Sequence, residues 1–169
     1  MAILLPSDFD LRRLVDSERK VVQALVAGLD DSWFLVPSVE VSDGGQDGEI
    51  DIVLVSSEGG AFVIEVKGGL IRVEGDKWFS YDKQIQSPVA QVKRAKHLLV
   101  ARLGTMKVRA PFLDHLVAFP DVNDVPETGI GDVVHIRESH EVIEERGADL
   151  HRSESSDQQM LGSLDLSDG

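Results

Sequence analysis

The stretch GEIDIVLVSSEGGAFVIEVKGG, residues 48–69, contains the two segments that decide the fold. The segments IDIVLV (50–55) and AFVIEV (61–66) are apolar at nearly every position, which is typical of central strands covered on both faces. The linker SSEGG is short and rich in turn-forming residues. The two segments are therefore predicted to pair as a hairpin at the centre of a sheet.

Three charged residues interrupt these apolar strands: Asp51, Glu65 and Lys67. Because side chains alternate along a strand, Glu65 and Lys67 share one face, about 6.6 Å apart along the chain. Hairpin pairing brings Asp51, near the start of one strand, close to Glu65, near the end of the next. The predicted cluster lies at the end of the sheet and holds two carboxylates and one ammonium group.

Such a cluster is costly, because an uncompensated buried charge destabilises a fold by several kcal/mol and adjacent carboxylates repel. A divalent cation removes the repulsion, and Mg²⁺ accepts one or two carboxylates while it keeps water and phosphate oxygens as other ligands. Lys67 could then orient or deprotonate a water and stabilise negative charge on a phosphate. The plainer interpretation is an ion pair that closes off the strand ends, and the pattern alone leaves both open.

The flanking sequence predicts helices on both sides of the hairpin. Apolar residues at helical spacing indicate a helix over 16–29, with Ser17 as its N-cap. Ser87–Pro88 begins a second helix that is expected to run to about Leu103 and stop at Gly104. A strand at 33–41 contains Pro37, which indicates a sheet edge or a bulge.

Further strands and a loop complete the pattern. A loop is predicted at 42–48, a hairpin within 71–81 that turns at 74–76, a strand at 115–119, and another at 133–136. A short helix is predicted at 139–146. The order predicts an α+β fold, with a mixed, mostly antiparallel central sheet flanked by helices (αβββαβ).

Two regions of the chain are predicted. Residues 1–150 form the folded domain, and residues 151–169 form a polar tail or linker, rich in Ser and Asp. The tail carries too few apolar side chains to offset the entropy of ordering it. We expect it to be disordered, or to lead into a further domain, and to be dispensable for folding.

The four-part pattern of motifs in this chain resembles that of the NERD family, the nuclease-related domain. Its parts are Glu18 in SERKVVQAL, Asp51 in GEID, Glu65 and Lys67 in EVK, and Gln91 in QSPVAQVKRAKHLL. The resemblance covers about residues 16–119. That family is assigned to the PD-(D/E)xK restriction-endonuclease-like superfamily, so the resemblance implies a restriction-endonuclease-like core.

The resemblance also implies roles for these residues. Asp51 and Glu65 would be metal ligands for Mg²⁺ or Mn²⁺, and Lys67 would be the catalytic lysine. Glu18 would be an accessory acid, and Gln91 would position substrate or water. Read without the family, Glu18 could simply complement its helix dipole, and Gln91 could be an exposed polar residue.

The net charge of −13 argues against a polyanionic partner, but its distribution is uneven. Residues 121–169 hold 13 acids and 3 bases, whereas residues 83–109 hold seven Lys or Arg and no acid. This basic stretch is either a solvated helix face or a surface that attracts nucleic acid. Its candidate contacts are Lys93, Arg94 and Lys96.

The amino-acid composition excludes several classes of site and of protein. The chain contains no cysteine, which excludes disulfides, thiolate chemistry and cysteine-ligated metal. No apolar run approaches the ~20 residues that span a bilayer, and the first ten residues do not resemble a secretory signal. We expect a cytoplasmic protein without a membrane partner.

Two functions compete on these grounds. The first is a metal-dependent nuclease that hydrolyses nucleic-acid phosphodiester bonds, with DNA favoured over RNA. The second is a non-catalytic nucleic-acid-binding or adaptor module of a larger protein, for example one that contains a helicase. The sequence also leaves open a homodimer and a further domain after the tail.

Overall fold

The computed structural model describes residues 1–122 and 133–134. Two helices and nine strands occur there: α1 (Asp16–Gly28), α2 (Pro88–Thr105), β1 (Ile3–Leu4), β2 (Trp33–Asp43), β3 (Gln46–Ser56), β4 (Ala61–Val66), β5 (Ile71–Glu74), β6 (Lys77–Ser80), β7 (Lys83–Ile85), β8 (Leu113–Ala118) and β9 (Val133–Val134). A 3₁₀ turn at Leu11–Arg13 precedes α1. The helix predicted at 139–146, the tail at 151–169 and the boundary at 150 lie outside the described residues.

The fold is α+β with a mixed central sheet, as predicted. The strands of the main sheet follow the order β1-β2-β3-β4-β8-β9. Its centre, β2-β3-β4, is antiparallel, while β1, β8 and β9 join in parallel. The strands β5, β6 and β7 form a separate antiparallel sheet, referred to below as the small sheet. This arrangement is consistent with a restriction-endonuclease-like fold.

Two apolar clusters fill the space on either side of the main sheet. The first lies under α1 and includes Val22 and Leu25 of the helix, with Ile52, Leu54 and Phe62 of the sheet. The second lies under α2 and the small sheet, and it includes Val92, Val53, Trp78 and Phe119. All six residues of β4 are buried, as predicted for a central strand with a helix on each side.

Along β2 and β3, successive side chains face opposite sides of the main sheet, and this alternation is interrupted at one point. The interruption positions the candidate site. Ser38 of β2 has a φ of 51°, and it lies between the paired residues Pro37 and Val39. Ile52 faces the α1 cluster, whereas Ile50, two residues earlier, faces the α2 cluster. The ribbon therefore turns toward α2 at Asp51. No residue is inserted in the register, and Pro37 lies beyond the short pairing with β1, so it occupies an edge rather than a bulge.

Several local predictions are corrected. The loop predicted at 42–48 is a two-residue turn formed by Gly44 and Gly45, which both adopt positive φ. Because the turn is so short, β2 continues to Asp43 and β3 begins at Gln46. The N-cap of α1 is Val15, not Ser17. Neither helix within residues 1–122 is both long and apolar enough to cross a lipid bilayer.

The end of α2 also differs from the prediction. The Ser87 hydroxyl accepts a hydrogen bond from the Ala90 N–H, as expected of an N-cap followed by proline. The helix does not stop at Gly104. It ends at Thr105, where Lys107 takes the left-handed conformation and Val108 N–H donates to the Leu103 carbonyl. This is a Schellman motif with lysine in the position that glycine usually fills.

Candidate active site

The predicted cluster of charges lines one cavity of about 560 Å³ between the main sheet and α2. Asp51 of β3, Glu65 of β4 and Lys67 just after β4 all open on it. The hairpin pairing explains this placement, since Ile52 pairs with Ile64, and Asp51 and Glu65 follow one step beyond. This cavity is referred to below as the central cavity.

Glu65 and Lys67 form an ion pair at the floor of the central cavity. The distance from Lys67 Nζ to Glu65 Oε1 is 2.6 Å, and the side chains are 29% and 10% exposed. The plainer interpretation of the sequence, an ion pair at the strand end, is therefore present in the structure. The Glu65–Lys67 ion pair is compatible with a functional role, because both side chains line the open central cavity and are accessible to a ligand.

Asp51 is held in a position that disfavours its charge. One of its oxygens, Oδ2, accepts a hydrogen bond of 2.7 Å from the Val66 N–H, which ties the side chain to β4. Burial and then the negative charge of Glu65 raise the pKa of Asp51 to about 7. Without a cation, this carboxyl is partly protonated at neutral pH.

Glu18 lies near this cluster, although it does not line the central cavity. It is the third residue of α1, and a hydrogen bond to the Val15 backbone directs it partly toward its own helix end. Burial raises the pKa of Glu18, with further contributions from the charges of Glu49 and Glu65. Both interpretations of Glu18 thus have a basis, since it faces the helix dipole and the acids of the site.

Gln91 reaches the central cavity from the first turn of α2. Its Nε2 donates to Gln86 Oε1 at 3.2 Å, while its Oε1 is buried and accepts no hydrogen bond from the described residues. A buried acceptor without a partner costs about 1–3 kcal/mol, so a ligand that donates a hydrogen bond here would relieve that cost.

The three candidate nucleic-acid contacts, Lys93, Arg94 and Lys96, differ in where they lie relative to the central cavity. Arg94 is exposed and lines the central cavity. Lys93 is exposed and does not line it. Lys96 is half-buried, and its Nζ lies 3.1 Å from His115 Nδ1 on β8, away from the cavity.

Glu49 is a site residue that the sequence pattern does not reveal, because its charge, close to Asp43 and Asp47, is typical of a solvated loop. It is exposed as expected, but it lies on β3 and lines the central cavity, where its Oε1 accepts from the Ser38 hydroxyl at 3.1 Å. The signal was its place two residues before Asp51, on the same face of a strand. The predicted loop at 42–48 obscured it, because the strand was expected to begin only at Ile50.

The residues that form the central cavity lie within a segment that matches a known family of domains. Residues 14–120, more than half of the chain, match the model of the nuclease-related domain. The chain belongs to the NERD family. No curated protein matches the sequence. In this NERD domain, the matched segment begins just before α1 and ends just after β8, so it contains Glu18, the central cavity and α2.

The segment that follows Lys67 is packed against α1, and this contact helps to fix the position of the Lys67 backbone. The Gly69 N–H donates to Asp121 Oδ2 at 2.9 Å, and Asp121 also pairs with Lys20 of α1. A Cβ added at Gly68 would lie 2.7 Å from the Ser17 Cβ, closer than side chains tolerate. A glycine is needed here because α1 approaches the backbone directly.

We expect Gly68→Ala to destabilise the NERD domain by about 1–3 kcal/mol, because the added methyl forces α1 away from β4. Gly104→Ala is the matched control, since no atom of residues 1–122 lies within 4 Å of a Cβ there, and alanine in a helix should stabilise by about 0.5–1 kcal/mol. Urea unfolding of both variants measures the difference. Equal effects of the two substitutions would contradict the close packing at Gly68.

Proposed function

We propose that this NERD domain is a metal-dependent nuclease that hydrolyses phosphodiester bonds, with DNA as the preferred nucleic acid. The observation that carries the proposal is the opening of Asp51, Glu65 and Lys67 on one cavity, with Gln91 at its wall. Lys67 compensates the charge of Glu65, but the half-buried carboxyl of Asp51 has no cationic partner within 4 Å among the described residues, and a bound cation would supply one.

The donor set fits Mg²⁺ or Mn²⁺. Asp51 and Glu65 would hold the ion, and the raised pKa of Asp51 is what a carboxyl prepared for a cation is expected to have without it. No three His, Asp or Glu side chains converge on one metal position within residues 1–122. Magnesium suits two carboxylates, because water and substrate oxygens complete its shell. When bound, the ion would lower the pKa of water and neutralise phosphate charge.

The chain's own groups would supply the remaining chemistry. Lys67 is held beside Glu65 and would stabilise negative charge on the phosphate or accept a proton from the attacking water. The unpaired Oε1 of Gln91 would accept a hydrogen bond from that water and orient it. Glu18 would contribute through the field of its charge, from outside the cavity.

Electrostatics favour a metal-assisted encounter with nucleic acid. Four carboxylates line the central cavity, against the two cations Lys67 and Arg94. A phosphate that enters the central cavity would be repelled by this set until a divalent cation is bound there, whereas the side of the cavity away from these carboxylates would not repel it. Arg94 would make the first phosphate contact at the rim, with Lys93 beyond it on the same helix.

We expect the protein to cleave DNA with Mn²⁺ or Mg²⁺ and to lose cleavage in excess EDTA. Asp51→Ala should lower the rate by at least about 10²-fold, because loss of a metal ligand costs more than loss of the hydrogen-bond partner of a ligand. A gel assay on labelled DNA and RNA, each single-stranded and duplex, measures rate and preference together. Asp31→Ala is the control, since Asp31 is an exposed acid that lines neither the central cavity nor the start of α2.

The competing proposal is a non-catalytic nucleic-acid-binding or adaptor module. It is favoured if the wild type binds nucleic acid but cleaves none of the four substrates with either metal. The presence of Asp51, Glu65 and Lys67 in one cavity supports the enzyme, since binding alone gains little from two adjacent carboxylates.

A further inference from the structure

A second cavity of about 370 Å³, the side cavity, adjoins the central cavity. The end of β4, the small sheet and the start of α2 line it, and it is open to solvent. Lys67 and Gln91 line both cavities, so the two share one wall. A ligand in the side cavity would therefore lie next to the groups that act on the phosphate.

The side cavity differs from the central cavity in its charge. Among the described residues no carboxylate lines it, and its polar side chains are those of two lysines, three glutamines and a serine. Lys83 of β7 is exposed and forms no ion pair within the described residues. The two cavities together place a cationic, amide-rich surface directly beside an acidic one.

This lining has the chemistry that a nucleotide requires. Lysines bind phosphate oxygens, and glutamine side chains donate to and accept from base edges. Gln86 supplies such an amide. Its oxygen accepts from Gln91, and its nitrogen donates to no described residue, so two N–H donors are available to a ligand.

The size of the side cavity limits what can enter it. Pockets of ~300–1,000 Å³ hold a single small molecule. A volume of about 370 Å³ is therefore suited to one nucleotide, and the glutamines of its wall can reach the pairing edge of a base only when that base is unpaired. A base held in a duplex could enter only after extrusion, which costs a few kcal/mol, whereas a base in a single strand does not carry that cost.

We propose that the side cavity binds one unpaired nucleotide of the substrate strand, next to the bond that is cut. The substrate is then a single strand, or a duplex with a single-stranded end. Lys83 contacts a phosphate of that strand and Gln86 contacts the base. This inference rests on the proposed nuclease function and defines its substrate class.

The test measures binding without cleavage. Fluorescence anisotropy in EDTA, with the full chain, compares a labelled 12-nucleotide DNA strand with the duplex of the same sequence. We expect the single strand to bind about tenfold tighter. Lys83→Ala should weaken single-strand binding and reduce the slope of log K against log[salt] by about 0.7, the value for one lost phosphate contact.

Gln86→Ala should weaken single-strand binding without changing the salt slope, because the base contact is uncharged. The matched controls are Lys77→Ala on β6 and Gln23→Ala on α1, since neither residue lines the central or side cavity. Both controls should bind like the wild type. In cleavage assays with Mn²⁺, Lys83→Ala should raise KM and leave kcat unchanged.

The outcomes separate this inference from the proposed function. Equal affinity for single strand and duplex, or equal losses in the variants and their controls, would overturn the side-cavity proposal even if DNA is cut. Conversely, if the single strand binds as expected but no metal supports cleavage, the side cavity is supported and the nuclease is not.

Discussion

Asp51→Asn is expected to stabilise the metal-free protein by about 1–3 kcal/mol at pH 8, while cleavage is lost. The pKa of Asp51 is raised to about 7 in the fold, mainly by burial, from 3.8 for an unperturbed aspartate side chain. Each unit of this shift corresponds to 1.36 kcal/mol, so relaxation of the site still leaves a large effect. Asparagine keeps the shape and an oxygen for the Val66 N–H, and it carries no charge.

The sign of the pH dependence follows from the same shift. Between about pH 4 and 7 the folded chain retains a proton on Asp51 that the unfolded chain has released. The contribution of Asp51 to the free energy of unfolding therefore falls as pH rises through that window, and the full penalty is present above it. Asp51→Asn should remove this slope.

Urea unfolding of wild type and variant from pH 4 to 8, in EDTA, measures both quantities. Asp47→Asn is the control, because it removes an exposed acid from the same cavity and should change stability by less than about 0.5 kcal/mol. A stability difference between Asp51→Asn and the wild type that does not grow from pH 4 to 8, or a destabilised Asp51→Asn, would mean that Asp51 is ionised and well compensated without metal.

The central hairpin and α2 were predictable because their signals are local. Apolar runs separated by a short turn define β3 and β4, and Ser87 followed by proline defines the start of α2. The co-location of Asp51 and Glu65 followed from pairing two adjacent strands. Those steps need only alternation and hairpin geometry, both of which act over a few residues.

The remaining features depend on contacts that are distant in sequence. The strand β7 contains one apolar residue in three, and its pairing with β6 decides its structure. The turn of the ribbon at Ser38 was hidden because a positive φ at serine has no sequence signal. Whether Gln91 lines the cavity depends on how α2 packs on the sheet, which a helical pattern alone does not define.

Replacing Lys67 is expected to separate catalysis from metal binding. The Lys67 ammonium group lies 2.6 Å from Glu65 Oε1, so it competes with a cation for that oxygen. In Lys67→Ala, Mn²⁺ or Mg²⁺ should stabilise the fold at least as much as in the wild type. That stabilisation is about 2.7 kcal/mol at a hundredfold excess over Kd. Cleavage should fall by about 10²–10⁴-fold, because the group beside the phosphate is gone.

Lys67→Arg then distinguishes the two roles proposed for this side chain. Arginine keeps the positive charge but does not release a proton at accessible pH, so it can stabilise a phosphate and cannot act as a base. If Lys67 acts by charge, Lys67→Arg should retain much more cleavage than Lys67→Ala. If it accepts a proton, the two variants should be equally inactive. Thermal unfolding with and without Mn²⁺, paired with cleavage rates, measures both properties, with Lys77→Ala as the control. Loss of metal-linked stabilisation in Lys67→Ala would contradict the competition, and it would instead assign Lys67 to holding Glu65 in place for the ion.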